Sequence, residues 1–283
     1  MMKRFKYLVL FFMTVHLGMA TIISNPVISA VNQTSDTEEK EQSANSNSAE
    51  SASSLNSINS ETPLSIRPSV HTAEWAVDWW LDRHKQKLQE VKDREQDIDL
   101  VFLGDSITHN WESKGKAFWQ DFYKHRKALN LGFGGDRTEH LLWRLQNGAV
   151  DGISPKLVVL MIGTNNTGHR QDAAAETALG VKTILHELKT RLPDSKILLL
   201  AIFPRAESPE DELRKLNEAV NAQIRSFADN RQVFWLNINH LFVDESGMLS
   251  KDVMNDFLHP ESPQYKIWAE ALEPYIVRFV DKS

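Results

Sequence analysis

Four short stretches of the sequence carry residues that can do chemistry together. Gly104-Asp105-Ser106 ends the apolar run Val101-Phe102-Leu103. Gly132-Phe133-Gly134-Gly135-Asp136-Arg137, Gly163-Thr164-Asn165-Asn166 and Asp256-Phe257-Leu258-His259 follow further along. They offer a hydroxyl, a glycine-rich turn, a carboxamide, and a carboxylate three residues before an imidazole. These are the parts of acyl transfer: a nucleophile, donors for a developing oxyanion, a base, and a group that orients the base. A serine hydroxyl is a weak nucleophile until a base takes its proton, and His259 is the candidate base for Ser106. Asp256, one helix-like turn earlier, can hold one imidazole tautomer and stabilise the imidazolium. The N–H groups of Ser106 and Gly135 and the side-chain amide of Asn165 are the candidate oxyanion donors. Gly135 suits that place because no side chain obstructs an approaching carbonyl.

Each stretch alone reads as punctuation, since Gly, Asp, Asn and Ser close strands and cap helices. Their positions make them a set. Ile98–Leu103, Ala128–Gly132, Leu157–Ile162, Ile197–Phe203 and Val233–Leu236 are short β-type runs. Helical patterns lie at 72–94, 138–146, 173–191, 210–229 and 263–280. Most of the β runs are unbroken apolar rather than alternating, which suits a parallel sheet covered on both faces. The expected fold is therefore an α/β class, three-layer α/β/α sandwich around a five-stranded parallel sheet with right-handed crossovers. Open sheets of this kind bind ligands beyond the carboxyl ends of their strands. The first three stretches fall there, and Asp256 and His259 lie in the loop before the last helix.

In combination, Gly104-Asp105-Ser106, Gly135, Gly163-x-Asn165 and Asp256-x-x-His259 resemble the four sequence blocks of the SGNH, or GDSL, hydrolase superfamily. Ile107 stands where the GDSL name expects Leu. NLGFGGDRTEHLLWRLQNG (130–148), VVLMIGTNN (158–166), DFLH (256–259) and the Trp-rich helix before the first strand resemble the catalytic subunits of intracellular platelet-activating-factor acetylhydrolase. The resemblance covers about residues 72–280. It implies a flavodoxin-like SGNH fold with sheet order 2-1-3-4-5. It implies Ser106 as nucleophile, His259 as base, Asp256 as its partner, and Ser106, Gly135 and Asn165 as oxyanion donors. Many members have Gly-x-Asn-Asp in the third block; Asn166 in the last place matches the acetylhydrolase subgroup. Similar chains occur among exported bacterial esterases of acetylated carbohydrates. The expected activity is removal of short acyl groups, acetyl first, from a small-molecule or glycan ester. A phospholipid-type ester and a non-catalytic carbohydrate-binding module of the same fold are the alternatives.

The rest of the chain bounds this reading. The 283 residues are 41% hydrophobic and 25% charged, as in a globular protein, and the formal net charge of -6 advertises no nucleic-acid surface. Zero cysteines exclude disulfides, thiol catalysis and thiolate metal sites. Lys3, Arg4 and Lys6 precede an apolar run that thins out to Ile23, the pattern of an export signal within residues 1–30. Gly18-Met19-Ala20 offers a cleavage point, Ala30 a second; an uncleaved membrane anchor is the other reading. Residues 31–66 are Ser/Asn/Glu-rich and read as a flexible linker to a hydrolase domain at 67–283. The expected location is outside the cytoplasm, and a homodimer is compatible with the pattern. No cofactor is expected, and no metal: His186-Glu187 opens a zinc-protease pattern, but Thr190 stands where the second His belongs. Gly132-x-Gly134-Gly135 fails the dinucleotide spacing at Arg137, and Thr108 replaces the second Gly of an α/β-hydrolase elbow. Trp111, Phe133, His169 and Arg205 lie near the motifs and are candidates for a substrate pocket. Core packing is the default for the two aromatics.

Overall fold

The computed structural model describes residues 62–282; the expected leader and the linker as far as residue 61 lie outside the described residues. Leu100–Gly104 (β1), Ala128–Gly132 (β2), Leu157–Met161 (β3), Lys196–Leu200 (β4) and Val233–Leu236 (β5) form one sheet. All four pairings are parallel, and the order is β2-β1-β3-β4-β5. The chain leaves β1 for one side and returns on the other, so the strand order reverses at the carboxyl end of β1. That is the switch point where such sheets open a crevice. The register is level there: Gly104 pairs with Gly132 on one side and Met161 on the other.

The helices are Glu74–Val77 (α1), Trp80–Asp93 (α2), Ser106–His109 (α3), Lys116–Phe122 (α4), Thr138–Gln146 (α5), Ala174–Arg191 (α6), Glu212–Ile224 (α7) and Ser262–Ile276 (α8). Alternate strand residues feed two cores. Val101, Leu103, Leu129 and Leu131 pack with Leu141 of α5, Val181 of α6 and Val220 of α7. Leu100, Phe102, Val159 and Leu198 pack with Trp111 and with Tyr265, Trp268 and Leu272 of α8. Both faces of each strand are apolar because both are covered, which explains the unbroken runs.

The structure departs from the expected elements where local geometry intervenes. The helix expected over 72–94 is broken by a turn at Asp78-Trp79 into α1 and α2. α3 and α4 have no counterpart in the pattern, being too short to show a period. α7 begins later than expected because the Asp211 carboxylate caps it, accepting from the N–H groups of Leu213 (2.9 Å) and Arg214 (3.4 Å). Leu64–Ile66, inside the stretch expected as linker, form a 3-10 turn. Ser65 there is buried, its hydroxyl donating to Glu176 O (2.6 Å) and its carbonyl accepting from Thr138 Oγ1 (2.8 Å). No helix of the described residues is long and apolar enough to cross a membrane.

Two glycines of the same turn differ in what surrounds them. A Cβ on Gly132 would overlap the His109 backbone N and lie 2.5 Å from the Thr108 carbonyl carbon, both in α3. A Cβ on Gly134 would meet the Trp79 ring at 3.4 Å and His109 Nδ1 at 3.8 Å, both ordinary contacts. Gly132→Ala is expected to cost about 1–3 kcal/mol of stability, as overpacking against backbone does. Gly134→Ala should stay within about 0.5 kcal/mol of wild type. Urea unfolding midpoints of the two variants measure the contrast.

Candidate active site

Ser106 is the second residue beyond β1 and the first of α3. The Asp105 carboxylate caps this short helix by accepting from Ile107 N–H at 3.0 Å. Asp105 is therefore turned into the protein, and Ser106 Oγ outward to His259, whose Nε2 lies 2.8 Å away. His259 Nδ1 lies 2.6 Å from Asp256 Oδ2. A carboxylate only accepts, so the imidazole proton sits on Nδ1 and Nε2 is left to accept from the Ser106 hydroxyl. Asp256 Oδ1 also accepts from the backbone N–H groups of Leu258 (3.1 Å) and His259 (2.8 Å). Partial burial would raise this carboxyl, but the hydrogen bonds from the His259 ring and backbone outweigh it and hold it below the usual carboxylate range.

The Asp256–His259 turn is fixed from several sides. Phe257 adopts φ 56°, the left-handed conformation that folds the carboxylate back over the following N–H groups. Its carbonyl accepts from Ala206 N (2.9 Å). Buried Arg214 of α7 donates to the carbonyls of Arg205 (2.6 Å), Ala206 (2.6 Å) and Gly247 (3.2 Å), joining the loop after β4 to the segment that leads to His259. Tyr265 of α8 donates from its hydroxyl to Ile107 O at 2.8 Å, locking the helix after His259 to the helix that carries Ser106.

The glycine-rich turn follows β2. Gly135 has φ 75°, and a Cβ there would overlap the Trp75 ring and lie 3.0 Å from His71 Nε2. Gly134 N donates to His109 Nδ1 (3.2 Å), which requires that nitrogen to be unprotonated. Burial, then Arg83, pushes the His109 ring down to about 4, against the pull of Glu112, so it is neutral at physiological pH. Asn165 is buried after β3 and donates from Nδ2 to Asp136 O at 2.9 Å. That bond uses one of its two amide protons and leaves the other for a ligand. The site thus presents a hydroxyl polarised by an oriented imidazole, with a turn glycine and a held carboxamide from the two neighbouring strands.

The expected pocket residues divide. Trp111 is fully buried, its ring 4.7 Å from Tyr265 and 5.0 Å from Trp268, so it belongs to the aromatic core. Phe133 is also fully buried, with the Arg144 guanidinium 4.0 Å from its ring centre, and supports the turn from beneath. Arg205 is half-buried and donates to Thr164 O at 2.8 Å, bracing the third stretch. His169 is exposed on the turn Asn166–Arg170; burial of its ring, then Arg137 and Arg205, lowers its pKa. Sequence reasoning gave no role to His71 or Trp75, which the structure sets against Gly135. The available signal was the excess of tryptophans at 75, 79 and 80, too many for one apolar stripe of a short helix. Among the described residues no group of His, Cys, Asp and Glu could hold a metal ion.

Residues 102–267 match the model of the GDSL-like Lipase/Acylhydrolase family. The chain belongs to this family. It is 34% identical over 207 residues to the platelet-activating factor acetylhydrolase IB subunit alpha2 of Rattus norvegicus, covering 73% of this chain and 87% of that protein. The fold also matches a GDSL-like lipase from Bacteroides thetaiotaomicron (TM-score 0.58, 22% identity, 70% of this chain and 97% of that one). A third match is an acetylxylan esterase from Geobacillus stearothermophilus (TM-score 0.51, 18% identity, 65% of this chain and 94% of that one). This GDSL-like acylhydrolase is accordingly a carboxylic ester hydrolase, and the expected α/β sandwich is the family's fold.

Asp105 gives the acylhydrolase a stability signature. Burial pushes its carboxyl up to about 7 from an ordinary 3.8, against the Ile107 N–H bond, and the nearby Asp136 adds to the rise. Between those two values the unfolded chain has lost the Asp105 proton and the folded one keeps it, so this residue's contribution falls as pH rises. Asp105→Asn keeps the Ile107 acceptor and removes the titration. Its thermal midpoint should gain on wild type from about pH 4 to about pH 7 and hold a constant lead above that. Midpoints measured from pH 4.5 to 8.5 test the slope.

Proposed function

We propose that this esterase is exported and removes short acyl groups, acetyl first, from acetylated carbohydrates. Ser106 is its nucleophile, His259 its base and Asp256 the orienter. The carrying observation is the unbroken chain Ser106 Oγ–His259–Asp256, at 2.8 and 2.6 Å, built from segments 153 residues apart. Ser106 Oγ attacks the ester carbonyl carbon and its proton passes to His259 Nε2. The carbonyl oxygen becomes an oxyanion held by the N–H groups of Ser106 and Gly135 and by Asn165 Nδ2. Collapse of the tetrahedral intermediate expels the alcohol, which takes the proton from His259 and leaves the acyl group on Ser106. Water then attacks this ester, again losing its proton to His259. Carboxylic acid leaves, and Ser106 Oγ recovers the proton.

An acetyl group is favoured because both the rat relative and the Geobacillus esterase are named for acetyl esters. A phospholipid-type ester is the second reading, favoured by the names of the rat relative and of its bovine and human counterparts. Export is supported by Lys3, Arg4 and Lys6 ahead of the apolar run. A non-catalytic module is disfavoured, since binding needs no base held in one tautomer.

Full-length protein assayed with a chromogenic acetate ester tests these roles. Ser106→Ala should lose at least about 10³-fold in kcat. Asn165→Ala should lose about 10²–10³-fold in kcat with KM little changed, as a missing oxyanion donor does. Equal rates for wild type and Ser106→Ala would refute the assignment.

A further inference from the structure

We propose that the Trp75–Trp79 wall beside Gly135, with the groove that opens beyond Trp79 along α2, is a sugar subsite, which holds the alcohol part of the ester. This rests on the esterase reading above and adds to it where the leaving group lies.

Trp75 is the starting point, because it is 53% exposed and yet pressed against Gly135. Trp79, one turn on, donates from Nε1 to Trp75 O (3.0 Å), and its ring covers Gly134. The two indoles lie 6.4 Å apart and 31° from parallel. Two aromatic faces therefore border the turn whose Gly135 N–H receives the ester oxygen. With acetyl as the acyl group, the alcohol is the only large part of the ester, and these rings offer it a wall beside Gly135. His71 adds a polar feature at the same place. Its Nδ1 accepts from Ala73 N (3.3 Å), and burial, then Arg137, lowers its pKa, so its single proton sits on Nε2. That nitrogen is buried against the Gly135 backbone.

Beyond Trp79 the surface opens into a groove of about 380 Å³ bounded by Asp78, Asp82, Arg83, Gln86 and His109. Arg83 is already engaged by Glu112 (2.8 Å) and Gly132 O (3.0 Å), and His109 by Gly134. The groups that face outward are Asp78, in the break before α2, and Asp82 and Gln86, four residues apart on α2. Asp82 has an exposed partner in Lys85 (3.0 Å), a pairing that costs little to exchange for a ligand. Indole faces followed by carboxylates and a carboxamide suit a polyol. The C–H face of a sugar ring packs on the indole, and its hydroxyls donate to Asp78, Asp82 and the Gln86 carbonyl. Val77 and Leu81 are exposed on the same segment, but no aliphatic side chain lines the groove itself, and an anionic phosphate there meets two carboxylates.

The test is titration of full-length Ser106→Ala protein with acetylated xylo-oligosaccharide, followed by tryptophan fluorescence. Binding should be saturable, and adding Trp79→Ala should weaken it about tenfold. The exposed double variant Asp82→Asn/Gln86→Ala, which leaves the core untouched, should weaken it about threefold or more. Unchanged affinity in both variants overturns the subsite, as does binding of short-chain phosphatidylcholine micelles in place of the oligosaccharide. Hydrolysis of ethyl acetate separates the two readings. If wild type cleaves it and Ser106→Ala does not, a failed titration refutes the subsite alone. If both cleave it equally, the esterase reading falls and takes the subsite with it.

Discussion

Asp136 is the fixed point of the site. Its carboxylate, with no exposure to solvent, accepts from Trp80 Nε1 (2.6 Å) and Arg144 Nε (2.8 Å), while its carbonyl accepts from Asn165 Nδ2 (2.9 Å). Arg144 is equally buried, lies over Phe133 and reaches Gly104 O at 3.5 Å. One residue thus ties the end of β1, the glycine turn after β2, the carboxamide after β3 and the helix that begins at Trp80. Burial pushes the Asp136 carboxyl up to about 6 against the opposing pull of Arg144 and Trp80, which leaves it charged at neutral pH. A buried pair of this kind adds little net stability, yet loss of either partner strands a charge at a cost of about 3–5 kcal/mol. Its consequence is specificity of geometry: Asn165 and Gly135 cannot move independently of one another.

The other half of the site is held differently. The Asp256 side chain is 53% exposed, so its attraction for an imidazolium is screened by water. Direction comes instead from hydrogen bonds: two backbone N–H groups fix Asp256 Oδ1, and the left-handed Phe257 makes that turn possible. The loop is anchored from below by Arg214 and beyond His259 by Tyr265. The proposed oxyanion donors therefore sit in a buried frame, and His259, the proposed base, stands at a wetted edge that water can reach.

The sequence shows the frame better than the lining. Unbroken apolar runs reveal a sheet covered on both sides, and three of the four motifs fall at strand ends because a doubly wound fold places its loops there. Thr138–Gln146 and Val233–Leu236 have the bounds their patterns suggest. Trp111 and Phe133 show the limit: an aromatic near a motif packs in a core or lines a pocket with the same residue type, and only depth decides between them. Depth also separates Trp75 from Trp80, since the first is half-exposed and the second has no exposure. The break at Asp78-Trp79 that creates this difference leaves no Gly or Pro in the sequence to announce it. Asp105, the acid next to Ser106 in the sequence, is spent on capping Ile107 N–H, a use that adjacency to the serine does not reveal.

Asn166 explains why the third stretch ends in a carboxamide. Its Oδ1 accepts from Thr138 N (2.9 Å), and its Nδ2 faces Thr138 Oγ1 (3.1 Å), Asp172 Oδ2 (3.0 Å) and Glu139 Oε2 (3.4 Å). An aspartate could keep the first bond but could donate none of the others, and it would set a third carboxylate against Glu139 and Asp172. Arg170 already serves both of those acids, at 2.6 Å each. Thr138 passes the linkage on, because its hydroxyl donates to Ser65 O and so anchors the segment that leads to His71 and Trp75. The carboxamide therefore does more than close a loop. It joins the turn after β3 to the start of α5 and, through Thr138, to the chain that lays Trp75 against Gly135, so the proposed donors and the aromatic wall beside them share one support.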